Sequence, residues 1–70
     1  MYYVSQVRRN RIEKIFKSKS DSACLSIAST MAIEIGGKPL DDKEKQHLLT
    51  SGIFEIGDTT LCFGEIKNWA

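Results

Sequence analysis

Between Ser20 and Ile35 the chain repeats apolar residues with a helical period, then stops on Gly36-Gly37 with Pro39 just beyond. This segment constrains the fold more than any other. At about 100° per residue, Cys24, Leu25, Ile27, Ala28, Met31, Ala32 and Ile35 fill one broad arc, and Ser22, Ser26, Ser29 and Thr30 lie opposite. A helix with a face this wide must cover another layer of structure. Ser20, Asp21 or Ser22 can accept from a free N–H of its first turn. Glycine takes the left-handed turn that ends it, and proline resists continuation. Ala28 and Ala32 let a second backbone come close. Ile33 falls on the polar side, as a lone exposed isoleucine or as an anchor for a partner.

The layer under that helix is expected at residues 53–63. With Gly57-Asp58 as a two-residue turn, Ile56 faces Thr59, Phe54 faces Leu61 and Gly52 faces Phe63. Phe54, Ile56, Leu61 and Phe63 then share one face of the hairpin. Ile53, Glu55, Thr60 and Cys62 share the other, which is half polar and reads as wet. Glycine in the first turn position suits a type II′ turn. Gly64 to Ile66 can extend the second strand, and residues 64–70 form the tail, where Trp69 either packs back on the domain or anchors a partner.

The remaining segments complete a single small domain over residues 1–70. Asp41 and Glu44 have capping-box spacing at the head of a surface helix over 41–51, with Leu48 and Leu49 as its apolar content and Leu40 packing from outside. Ile12, Ile15 and Phe16, spaced i, i+3 and i+4, predict a short helix over 8–17. Tyr2 to Val7 reads as an edge strand, with Tyr2, Val4 and Gln6 opposite Tyr3, Ser5 and Val7, or else runs directly into that helix. The expected class is therefore α+β: three short helices packed on a small antiparallel sheet closed by a C-terminal β-hairpin. Three helices followed by a hairpin also resemble, at the level of element order, winged helix-turn-helix domains. In that arrangement 41–51 would be the recognition helix and 53–63 the wing.

Charge is divided unevenly. Residues 1–19 hold six cations against Glu13 alone, and residues 20–70 carry a net negative charge, so that the whole chain sums to +1. The basic third attracts phosphates or a carboxylate-rich protein face. Against a DNA role stand Asp41-Asp42 at the head of the recognition helix and Asp58 at the wing tip.

Nothing here reads as catalytic machinery. A domain of 70 residues has little room for a deep substrate cavity. His47 is the single histidine and sits in the most polar helix beside Glu44, Cys24 belongs to the helix core, and Cys62 has no base near it in sequence. One histidine and two cysteines make no metal site by themselves, and Gly36-Gly37-Lys38 follows a helix where a phosphate loop would precede one. No cofactor, metal or small-molecule substrate is expected. Absence of a long apolar run or signal-like N-terminus makes the expected location the cytoplasm, with both thiols reduced.

The expected function is that of a small non-catalytic regulator or inhibitor that binds another protein, with self-association included. Arg8, Arg9, Arg11, Tyr2, Tyr3, Ile33 and Trp69 are the candidate contacts. The alternative is a DNA-binding module that uses Arg8, Arg9, Arg11, Lys14, Lys17 and Lys19 with Lys43, Lys45 and Gln46 of the helix over 41–51.

Overall fold

The computed structural model describes residues 1–67. Its elements run β1 (Tyr2–Arg8), β2 (Arg11–Ser18), α1 (Asp21–Gly36), α2 (Asp42–Ser51), β3 (Ile53–Ile56) and β4 (Thr59–Glu65). The strands form one antiparallel sheet in the order β2-β1-β4-β3. Both helices lie on one face of it, α1 chiefly over β1 and β2, α2 over β3 and β4. The class is α+β, with two helices where three were expected.

The helices begin and end where the local chemistry directs. The Ala23 N–H donates to Ser20 Oγ at 3.3 Å, and the Gly37 N–H closes the end on the Ile33 carbonyl at 2.9 Å. Asp41 and Glu44 form the full capping box of α2: the Glu44 N–H donates to Asp41 Oδ1 at 2.8 Å and the Asp41 N–H donates to Glu44 Oε1 at 2.9 Å. Ser29 also holds the interhelical loop, because its hydroxyl accepts from the Leu40 N–H at 3.0 Å.

The core lies between the layers. Cys24, Ala28, Met31 and Ala32 of α1, with Leu40 and Leu48, meet Val4 and Leu61 at the centre of the sheet. Tyr2, Phe16, Phe54, Ile56 and Phe63 pack around this cluster, and Tyr2 stacks on Phe63 with ring centroids 5.9 Å apart. The β3–β4 pairing is the expected one, Phe54 with Leu61 and Ile56 with Thr59. Gly57 has φ +61° while Asp58 stays out of the positive-φ region, as a type II′ turn requires. Strand β4 continues through Gly64 to Glu65, the extension that Gly64 to Ile66 allowed, and so takes in the first two residues assigned to the tail.

Residues 8–17 correct the expectation most. They form no helix; after Arg8, which ends β1, the chain turns at Arg9-Asn10 and returns as β2. The turn residues have φ of +53° and +64°, the type I′ geometry that matches strand twist. Arginine in the first of these positions gives no sequence signal for such a turn. The helical spacing has a specific origin. The register shifts between Gln6 and Val7, so Gln6 pairs with Lys14 but Val7 pairs with Ile12, and Glu13 is the extra residue of a β-bulge. An extra residue puts Ile12 and Ile15 on the same face although they are three apart. The i, i+3 pair is thus a bulged strand imitating a helix.

Two further corrections follow from this hairpin. β1 is an interior strand, paired on both sides with β2 and β4, because β2 supplies the missing neighbour. A winged-helix arrangement is also ruled out, since the helix that would precede the recognition pair is a strand.

Candidate protein-binding face

The helices cover one side of the sheet and leave the other open. Strand alternation and the observed registers set which side chains stand on that open side. In the row nearest the helix connections, Lys17, Tyr3 and Gly64 lie level. The next row is Ile15, Ser5, Cys62 and Ile53. The third is Ile12, Val7, Thr60 and Glu55.

Three isoleucines on this face are largely bare: Ile12 is 65% exposed, Ile15 52% and Ile53 51%. Val7, Tyr3 and Cys62 are half-buried between them. The Tyr3 ring lies across Gly64 closely enough that a Cβ there would stand 2.8 Å from the ring, so glycine makes room for the tyrosine. An apolar patch formed by neighbouring side chains on a rigid sheet differs from scattered exposed residues, which are ordinary.

The basic residues flank this face but do not gather into one surface. Arg8, Arg9 and Arg11 surround an open depression at the β1–β2 turn together with Ile12 and Glu13. Arg8 is held by Glu13 at 3.8 Å. Lys14 turns to the helix side and pairs with Glu34 of α1. Lys17 stands on the open face and Lys19 in the connection to α1. Lys43, Lys45 and Gln46 ride on α2, over the β3–β4 half of the sheet, and so across the molecule from the arginine turn.

The other expected contact residues are dispersed. Tyr3 belongs to the open face, but Tyr2 turns to the helix side. Ile33 is 48% exposed on α1, in the layer on the far side of the sheet from Tyr3. Trp69 lies outside the described residues. The residues that sequence reasoning missed are Val7, Ile12, Ile15, Ile53 and Cys62. Alternation in β1 and β3 marked the two faces, but the open side became apolar only when β2 joined the sheet beside Ser5 and Val7.

Among the described residues, titrating and nucleophilic groups form no working cluster. Cys24 is fully buried, and burial, the main cause, pushes its thiol up; a backbone hydrogen bond at Ser18 opposes this shift, and the Asp21 carboxylate adds to it. Both thiols are free, and the sheet separates Cys24 in the core from Cys62 on the open face. His47 meets the edge of the Phe54 ring at 6.1 Å, while the carboxylate of Glu44 is turned back into the capping box. A cleft of about 180 Å³ beside Leu40, Phe54 and Ile56 falls below the usual size of a small-molecule site. Among the described residues no three of His, Cys, Asp and Glu come together as a metal-binding group, and no helix is long and apolar enough to cross a membrane.

Comparison with protein families, with curated proteins and with solved structures gives no match for this chain.

Proposed function

We propose that this chain is a non-catalytic protein-binding module, a regulator or inhibitor whose contact surface is the open face of its sheet. The observation that carries the reading is the placement of Ile12, Ile15 and Ile53, each at least half exposed, around Val7, Tyr3 and Cys62 on one rigid surface. Such a surface gains by leaving water, at about 25 cal/mol per Å² of apolar area. The sheet fixes the backbone beneath its side chains and β-branched isoleucines have restricted χ1 freedom, so less entropy is lost on contact. The arginine turn beside it speeds encounter with an acidic partner and contributes less to the final affinity. The proposed place of action is the cytoplasm.

The test is affinity capture with three baits: the natural chain, Ile15→Asp and, as a control on the other layer, Ile33→Asp. A specific protein held by the natural chain and by Ile33→Asp, but lost with Ile15→Asp, supports the proposal. That protein should stay bound between about 50 and 200 mM salt, because apolar contacts are not screened. Duplex DNA binding with a steep salt dependence, lost on replacing Arg8, Arg9 and Arg11 with alanine, would replace this reading with the nucleic-acid one. Retention of every captured protein by Ile15→Asp would dismiss the open face.

A further inference from the structure

We infer that the free edge of β3, beside the cleft under the α1–α2 connection, receives a short extended segment of another protein: a basic residue flanked by apolar ones, one of which enters the cleft. This contact lies at the opposite edge of the sheet from β2 and is independent of the open face.

The β3–β4 ladder decides which backbone groups are open. The Phe63 N–H donates to the Gly52 carbonyl at 2.9 Å, so Gly52 turns its backbone toward β4. Bonded and non-bonded positions alternate along an antiparallel pair. Phe54 and Ile56 therefore also bond to β4, while Ile53 and Glu55 turn their N–H and carbonyl groups to the outer edge. Position 53 is already closed. The Ser51 hydroxyl accepts from the Ile53 N–H at 3.3 Å and stands 2.9 Å from the Ile53 carbonyl oxygen. The backbone of Glu55 has no such guard and bonds to no described residue at this edge. At the other edge of the sheet, the bulge at Glu13 and the cations Arg11 and Lys14 protect β2. An open donor–acceptor pair on a strand edge is what an added strand occupies.

The cleft supplies the side-chain contact. It measures about 180 Å³ and is walled by Gly36, Pro39, Leu40, Phe54 and Ile56, with Glu55 at its border. Alternation sends the Glu55 carboxylate to the open face, so the part of Glu55 at the cleft is its main chain. An apolar cavity of about 150 Å³ accepts a benzene ring, so this cleft takes one leucine- or phenylalanine-sized side chain. In an antiparallel partner the residue opposite Glu55 exchanges both backbone bonds with it. The residues on either side of that one turn to the helix side, level with Phe54 and Ile56, where the cleft opens. Charge assigns the middle residue. The Glu55 carboxylate is exposed and belongs to neither ion pair among the described residues, and opposite charges attract across neighbouring strands. Within the cleft wall, Glu44 is turned into the capping box and Lys38 repels a cation. The basic residue therefore faces Glu55, and the residue in the cleft is apolar.

An NMR titration of the full chain with the blocked peptide acetyl-Thr-Leu-Lys-Leu-Thr-amide tests this. One residue pair and one side chain make a weak contact, with a Kd of about 1 mM. The amide signals of Glu55, Gly36 and Leu40 should shift, and those of Ser5 and Ile15 should stay in place. Alanine in place of both leucines should weaken binding about tenfold. Methylation of the lysine backbone nitrogen, which removes the N–H donated to the Glu55 carbonyl, should do the same without altering the protein. Glu55→Lys should weaken the lysine peptide about threefold and tighten one with glutamate in its place. Ile15→Asp, which tests the open face, should bind the peptide as the natural chain does. Absence of shifts at about 10 mM peptide overturns the proposal, and so does equal affinity for the alanine or the N-methylated peptide. Shifts centred on Val7, Ile12 and Ile15, or loss of binding in Ile15→Asp, would move the contact to the open face and equally overturn it.

Discussion

Replacing Arg9 with asparagine should stabilise the protein, although Arg9 touches nothing in the core. The residue is exposed and has φ +53° at the first central position of the β1–β2 turn. A left-handed conformation costs most side chains about 1–2 kcal/mol, and asparagine, whose short amide bonds locally, much less. Asparagine also keeps a side chain in the unfolded state, so it avoids the entropy penalty of glycine. The expected gain is about 0.5–1 kcal/mol. For a domain of this size that raises the thermal midpoint by about 2–8 °C, or the urea midpoint by about 0.5–1 M. Charge complicates the comparison, because Arg8 and Arg11 flank the position and loss of a third cation relieves repulsion. Arg9→Gln serves as the control, since it removes the charge and leaves the backbone strain. The difference between the asparagine and glutamine variants isolates the turn. Equal urea midpoints for the two, within about 0.2 M, would refute a type I′ turn here. Arg9→Pro extends the test in the other direction: proline cannot reach positive φ and should cost about 3 kcal/mol or more.

Leu61 is wholly buried between Gln6 and Phe54, and Leu61→Ala should cost about 2–5 kcal/mol in urea unfolding; a loss under about 1 kcal/mol means that the helices do not cover this face. Gln6 stands beside it with Oε1 buried and unpaired, while its amide donates to Glu13 at 3.2 Å, so Gln6→Met should gain about 1 kcal/mol, and a marked loss would show that this oxygen has a partner. Burial raises the Cys24 thiol above its ordinary value of 9.0, so the folded state keeps a proton that the unfolded state releases. Its contribution is intact below that pH and is lost as pH rises further; the urea midpoint should therefore fall more steeply above pH 9.0 in the natural chain than in Cys24→Ala. Equal slopes would place Cys24 in contact with water.

The sequence by itself determined the elements whose signals are local. Helix α1 is written in its apolar arc and in Ser20 and Gly37; α2 in the reciprocal pairing of Asp41 and Glu44; the β3–β4 hairpin and its register in Gly57-Asp58 and strict alternation. Each needs only neighbours within a few residues, so one stretch of sequence contains the whole cause. Only tertiary structure decided β2. Its apolar spacing satisfies a helix, and nothing local prevents one, but pairing with β1 satisfies a row of backbone groups that a short basic helix would leave β1 without. The bulge at Glu13 then aligned Ile12 with Ile15, and the candidate site came into being only at that step. A surface assembled from two hairpins far apart in sequence depends on which backbones pair, and that is a property of the whole sheet rather than of any segment in it.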